Sequence, residues 1–244
     1  MADYLSRLSV RGLGVHYGRR CAVRNVSLEF SGPGITALVG PSGAGKSSLL
    51  LACAGLMGDV PGARVDGEVD PGDSGVGIVF QQPLAFPLSI AMNVGLALRE
   101  RGRSATDVDA RVALALQQAG LWTEVKDRLR ESATRLSGGQ LQRLCIARSL
   151  ALAPSFLLLD EPCSSLDPMS AKVVENTLRE LSGSIHIVIV THNLAQARRL
   201  SNRMIVLWDT DGGGSQVLAD GPTETMFREP PHELVKLYLD GQLG

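Results

Sequence analysis

No apolar stretch in this 244-residue chain approaches the roughly 20 residues that a membrane-spanning helix needs. Runs such as Phe156 to Leu159 and Ile185 to Val190 stop far short. The first residues, Met1-Ala-Asp-Tyr-Leu-Ser-Arg, lack the apolar core of a secretory signal. Both absences predict a protein made and kept in the cytosol. Charge of one sign is lacking too: 24 Lys and Arg face 25 Asp and Glu, for a formal charge of -1. No global basic field draws such a chain onto nucleic acid or anionic lipid, although a local basic patch stays open. The four cysteines (Cys21, Cys53, Cys145, Cys163) show no C-x-x-C or Cys/His metal spacing, and a cytosolic setting argues against disulfides. They read as small buried residues. Cys163 follows an Asp-Glu pair closely and reads as a packing residue in a loop. Internal repeats, low-complexity tracts and linkers are also lacking, which suits one large α/β domain, with or without an inserted lobe.

What is present alternates between two periods. Leu8 to Phe30 has apolar and polar residues in turn around Tyr17-Gly18-Arg-Arg, as expected of an antiparallel strand pair. Ile35 to Val39 is a strand, and Ser48 to Leu56 is helical. Gly58 to Gly75 is rich in Gly, Pro and Asp and reads as loop with one short strand at Arg64 to Val69, before a β-type run at Gly75 to Phe80. Helical spacing then takes over in Met92 to Leu98, Val108 to Ala119 and Leu141 to Leu150. The second half reads as strand Phe156 to Leu159, helix Ala171 to Leu181, strand Ile185 to Val190, helix Leu194 to Leu200 and strand Met204 to Trp208. Continuous apolar strands alternating with helices predict a parallel sheet covered on both faces. Asp211-Gly-Gly-Gly-Ser215 reads as a hairpin turn, and Thr223 to Arg228 and His232 to Leu239 as short terminal helices.

Three motifs carry chemistry. Gly40-Pro41-Ser42-Gly43-Ala44-Gly45-Lys46-Ser47 matches G-x-x-x-x-G-K-[ST] in full, between a strand and a helix. Its glycines let backbone N–H groups turn inward on an anion, and the following helix adds its N-terminal donors. Lys46 supplies a mobile cation for the β- and γ-phosphates, Ser47 a hydroxyl for Mg²⁺, and Ser48 extends the hydroxyl lining. The loop therefore predicts nucleotide binding, and by itself leaves open whether the γ-phosphoryl group goes to water, to a small molecule or to a regulatory switch. In Phe156-Leu-Leu-Leu-Asp160-Glu161, a carboxylate at the end of a buried apolar strand is costly unless it meets a cation. Asp160 is expected to hold Mg²⁺, mostly through water, and Glu161 to polarise the attacking water. Ser137-Gly138-Gly139-Gln140 opens a helix with Ser as cap and glycines that leave N–H groups open to an anion, a second phosphate site in one chain.

That order of motifs, with Gln81, Ser164-Ser-Leu-Asp167 and His192, resembles the ATP-binding subunit of an ABC transporter over nearly the whole chain. The resemblance implies a P-loop NTPase of α/β class, with a RecA-like parallel-sheet core, an antiparallel β-subdomain and an inserted helical subdomain. Residues 1–244 then form one domain, with 1–82 and 151–244 as core and β-subdomain and 83–150 as the helical part. It also implies that Ser137 to Gln140 serve the nucleotide of a second copy or of a like ATPase subunit, so that two chains sandwich two ATP molecules, with Asp167 along the seam. Tyr17 resembles the aromatic that stacks on adenine, a surface-turn tyrosine being the alternative. Gln81, with Gln82 as competitor, resembles the glutamine that touches Mg²⁺ and the attacking water. His192 resembles the switch histidine that contacts γ-phosphate and fixes the geometry around Glu161. Lys46, Gln81, Glu161 and His192 are thus the expected catalytic set, and Ser47, Gln81 and Asp160 the metal set.

The partners so implied are transmembrane permease subunits docked near Gln81, with an indirect link to a solute-binding protein, and the chain would sit peripherally on the inner face of the cell membrane. Pro61 to Glu68, Val79-Phe-Gln-Gln-Pro83 with Phe86-Pro87, Arg143 to Arg148, Thr191 to Ala197 and the tail Tyr238 to Gly244 resemble the phosphate importers of the family. Inorganic phosphate is the solute they imply; an amino acid or another anion is the alternative. The chain departs from that pattern in a short Arg64 to Gly75 stretch, in Cys163 where Thr is common and in Leu141 where Gln is frequent. A non-transport ABC ATPase acting on DNA or ribosomes would usually carry a coiled-coil insertion or two cassettes, and a small-molecule kinase would have no use for Ser137 to Gln140.

Overall fold

A computed structural model describes residues 6–72 and 75–243. The expectations placed on residues 1–5, on 73–74 within the Gly-rich loop and on Gly244 lie outside the described residues. Strands β1 (Arg7–Tyr17) and β2 (Arg20–Ser31) pair antiparallel. Strand β3 (Gly34–Val39) leads through the phosphate loop into helix α1 (Lys46–Cys53), and β4 (Ala63–Asp70) returns to pair with β1. After β5 (Val76–Val79) come α2 (Ile90–Glu100), α3 (Ala105–Gln118), the single turn α4 (Trp122–Val125) and α5 (Gly138–Leu150). The remainder alternates β6 (Phe156–Asp160), α6 (Pro168–Leu181), β7 (His186–Val190), α7 (Leu194–Leu200) and β8 (Arg203–Trp208). A hairpin then gives β9 (Gln216–Pro222), before α8 (Thr223–Arg228) and α9 (Glu233–Leu239).

The larger sheet has the order β5-β6-β7-β3-β8-β9, parallel except for β9 at one edge. Side chains alternate across it with period two, so each strand feeds two cores. Ala37, Val39, Leu157, Leu159, Ile187, Ile189 and Val206 join the apolar sides of α2, α3, α5, α6 and α7. Leu38, Leu158, Val188, Val190, Ile205 and Leu207 pack instead against α1 and the β1–β2 pair. The first core runs without a break from the sheet into the α2–α3–α5 helices. Helix α5 is its bridge: its Ser149 hydroxyl donates to Ile78 O on β5 at 2.9 Å.

The expected elements are found in kind, several with shifted ends, while the single turn α4 is not among those expected. Helix α6 begins at Pro168 rather than Ala171, because Asp167 caps it and a proline fits its first turn. Helix α1 stops at Cys53 rather than Leu56, because Gly55 turns the chain at φ 71°. The parallel order has one functional consequence. The carboxyl ends of β3, β5, β6 and β7 lie along one edge, where open α/β sheets bind ligands.

Candidate nucleotide site

The loop after β3 is threaded between neighbouring strands, and glycine is what lets it pass. At φ 148° a Cβ on Gly40 would run into the Leu207 carbonyl oxygen of β8; at φ 75° a Cβ on Gly45 would lie 2.7 Å from the Ala22 carbonyl of β2. Helix α1 follows Gly45, which offers no side-chain cap, and has no acidic residue in its first turn, so its first N–H groups remain for an external anion. The Lys46 ammonium curls over its own loop, donating to Gly40 O at 2.8 Å and Pro41 O at 2.7 Å. Burial pushes it below its ordinary pKa, and the carboxylates of Glu161 and Asp160 pull it back.

Around this loop lies a cleft of about 910 Å³ lined by residues 40–48 together with Tyr17, Arg20, Gln81, Glu161, His192 and Tyr238. Tyr17, at the end of β1, hydrogen-bonds through its hydroxyl to that of Ser48 at 2.9 Å. Glu161 follows β6 with φ 45°, a left-handed conformation rare for glutamate and the kind of strain that clusters at active sites. Its N–H donates to Val190 O, and its carbonyl accepts from the Ser164 amide and hydroxyl, which together hold the turn. Gln81 Nε2 donates to Glu161 Oε2 and His192 Nδ1 lies on Oε1, each at 3.0 Å. Gln82 does not line the cleft. One carboxylate is thus gripped from the ends of β5 and β7.

Asp160 ends β6 half-buried. Burial pushes its carboxyl above the usual range, a hydrogen bond from Ser47 opposes this, Glu161 adds to it and Lys46 subtracts. Among the described residues no group of three or more His, Cys, Asp or Glu side chains forms an all-protein metal cage. One carboxylate, one hydroxyl and one amide are what Mg²⁺ takes when phosphates complete its shell, and a cation would relieve the cost of the buried Asp160 charge. The donor set fits that ion.

Ser137 to Gln140 are absent from this cleft. Ser137 and Gly138 are exposed, and the turn is built as a capping box: Ser137 Oγ accepts from the Gln140 amide, and Gln140 Oε1 accepts from the Ser137 amide at 3.1 Å. Gln140 Nε2 donates to Glu124 at 2.8 Å, and the buried Arg143 donates to Glu124 at 2.6 Å and to Gly120 O at 2.7 Å. Arg143 holds the Glu124 carboxyl below its ordinary pKa. Asp167 is likewise outside the cleft, exposed, capping α6 by accepting from the Met169 and Ser170 amides. A Cβ on Gly139 would lie 2.7 Å from the Ser170 hydroxyl, so the serine-glycine turn and the start of α6 are packed together. The chain therefore presents a cleft with a phosphate loop and, apart from it, an exposed serine-glycine turn at the start of α5.

A family model described as ABC transporter matches residues 23–164. The chain belongs to the ABC transporter family. It is 45% identical to phosphate import ATP-binding protein PstB 1 of Nitrosococcus oceani, over 97% of this chain and 91% of that one. It is 40% identical to the PstB of Thermotoga maritima, over 97% and 98%. An ATP-bound bacterial Atm1-family ABC exporter superposes with a TM-score of 0.75 at 24% identity, covering all of this chain and 43% of the exporter chain, a likeness of fold.

Three features of this ABC ATPase site escape a reading of the sequence. The Tyr238 hydroxyl accepts the Gly40 N–H at 3.0 Å and pins the start of the phosphate loop, across 198 positions of sequence. Arg20 opens onto the cleft, and Glu124 braces the serine-glycine turn. No local spacing marks any of them; Tyr238 stands out only as part of the tail's family resemblance. One expectation is corrected: Cys53 and Cys145 are buried, but Cys21 and Cys163 are half-buried. Cys163 borders a small pocket behind Glu161, and Cys21 lies near the tip of the β1–β2 hairpin, opposite His16.

Proposed function

We propose that this chain is the ATP-hydrolysing subunit of an ABC importer that takes up inorganic phosphate. The observation that carries the ATPase part is the Glu161 carboxylate, gripped by Gln81 and His192 at the mouth of the phosphate-loop cleft. Identity of 40–45% to phosphate import ATP-binding proteins along nearly the full chain supports the solute.

ATP is the substrate. Lys46 and the N–H groups of residues 40–47 bind its phosphates, and the Tyr17 ring borders the cleft where the base would stack. Glu161 holds a water in line with the γ-phosphorus and takes its proton as the P–O bond to water forms and the bond to the ADP oxygen breaks. Such a base contributes about 10²- to 10⁴-fold in rate. His192 and Gln81 fix the orientation of that carboxylate. Ser47, Asp160 and Gln81 would hold Mg²⁺, which when bound neutralises phosphate charge as the leaving group departs.

Ser137, Gly138 and Gln140 of one copy close on the nucleotide of another, with Asp167 along the seam. The exposure of Ser137 and Gly138 away from their own cleft favours this arrangement. ATP, whose γ-phosphate adds charge at both ends of a split site, favours the closed pair, and ADP with phosphate releases it. Among the described residues no helix is long and apolar enough to cross a membrane, so transmembrane permease subunits supply the path, and this chain works against their inner face. The test is uptake of radiolabelled phosphate in a strain lacking the gene: the wild-type gene restores it and the Glu161→Gln form does not. Uptake of another anion or an amino acid restored instead would overturn the solute.

A further inference from the structure

Behind His192 lies a buried polar chain that the hydrolysis scheme leaves without a task. The Thr191 hydroxyl donates to Gln196 Oε1 at 2.8 Å, and Gln196 Nε2 donates to Glu175 Oε1 on α6 at 3.1 Å. Arg199 donates to the same oxygen at 2.9 Å. The Asn193 amide donates to Thr191 Oγ1 at 3.0 Å, and the Asn193 side chain accepts from the Gln196 amide at 2.9 Å. Both residues flanking His192 are therefore tied to one glutamine.

Gln196 is 4% exposed and Glu175 8%. Helices α6 and α7 could pack through apolar side chains at less cost, because a buried carboxylate loses hydration that its partners only partly restore. The imidazole of His192, by contrast, is 66% exposed and rests on Glu161. A pocket of about 140 Å³ separates the 161–164 turn from the 191–193 turn. The backbone is tied at Val190, whose carbonyl accepts the Glu161 N–H, and at Thr191, whose N–H donates to Leu38 O; beyond that point the His192 turn is fastened by the side-chain and backbone hydrogen bonds of Gln196. The far end of that support is α6, which Asp167 caps and whose Ser170 packs against Gly139.

We infer that Gln196, anchored by Glu175, is a positioning residue for hydrolysis: it fixes the peptide that carries His192, and through His192 the orientation of Glu161, relative to the helix that Asp167 caps. The inference rests on the proposed roles of His192 and Glu161. A misplacement of about 1 Å at such a group costs up to about 100-fold in rate.

The test is a double-mutant cycle in steady-state ATPase assays on the full chain with Mg²⁺. Gln196→Met should lower kcat about 10- to 100-fold with KM for ATP within about twofold of wild type, and should add nothing in a His192→Ala background. Thr191→Val, a smaller change, should reproduce the direction of the loss and its absence beside His192→Ala. Glu175→Gln, which keeps an acceptor for Gln196, should retain most of the activity that Glu175→Leu loses. Losses that multiply with that of His192→Ala, or that appear in KM alone, overturn the inference. If His192→Ala lowers kcat while Gln196→Met and Thr191→Val do not, this inference alone falls. If His192→Ala hydrolyses ATP at the wild-type rate, the hydrolysis scheme falls first.

Discussion

Removing one oxygen, in Tyr238→Phe, isolates the pin that holds the phosphate loop. The Tyr238 ring packs edge-on against Trp208 with centroids 5.6 Å apart, and phenylalanine keeps that contact. What is lost is the acceptor for the Gly40 N–H, a buried donor. A buried donor left without a partner costs about 1–3 kcal/mol. In a protein of this size each kcal/mol moves Tm by about 2–4 °C, so a fall of about 2–12 °C is expected by calorimetry. Gly40 cannot simply move away, since its backbone is wedged against Leu207. Where bound ATP restores the loop, part of that cost falls on binding, and about 1 kcal/mol raises Kd about fivefold. Calorimetry without nucleotide and titration with ATP read the two effects separately. A Tm within 1 °C of wild type together with unchanged ATP affinity would refute the claim that this phenol holds the loop.

Asp160→Asn removes a carboxylate whose charged form burial disfavours. Its pKa is raised in the fold, so the folded chain binds the proton more tightly than the unfolded one, and stability falls as pH rises between the two pKa values. In metal-free buffer the Asn form should therefore be the more stable at pH 7, with an advantage that shrinks as pH drops through the carboxylate range, while Mg²⁺-dependent hydrolysis is lost; no Tm gain at pH 7 would contradict this. The Cys53 and Cys163 thiols, pushed up to about 12 and about 11 by burial, hold about one part in ten thousand and one in a thousand as thiolate at pH 8. Iodoacetamide labelling followed by mass spectrometry should find both spared in the native chain and alkylated in denaturant, and rapid native labelling of Cys163 would show its turn to be open.

The parts of this molecule legible in the sequence are those whose reasons are local. Gly40 to Ser47 declare themselves because glycine, lysine and hydroxyl are required at fixed offsets between a strand and a helix. Asp160-Glu161 stand out because acid after four apolar residues is costly anywhere else. Helix α7 and helix α8 run over the residues their periodicity marks. Long-range matters were hidden. The Tyr238 hydroxyl meets Gly40 only after the sheet is assembled, and Glu124 becomes a brace only once α4 is laid beside α5. Helix α4 is a single turn, too short for any period to register. The left-handed backbone at Glu161 follows from the turn between β6 and the Ser164 loop, which no residue type announces.

The central claim is that one protomer's phosphate loop and another's serine-glycine turn share a nucleotide. Glu161→Gln keeps the shape of the site but, on the proposed scheme, cannot take the proton, so bound ATP should persist. Size-exclusion chromatography with light scattering on this variant, with ATP and Mg²⁺, should give twice the 25.9 kDa chain mass; with ADP, or with Ser137→Arg added to block the exposed turn, it should give the single-chain mass. A Glu161→Gln protein that binds ATP yet stays at the mass of one chain, or a dimer indifferent to Ser137→Arg, would contradict the shared site.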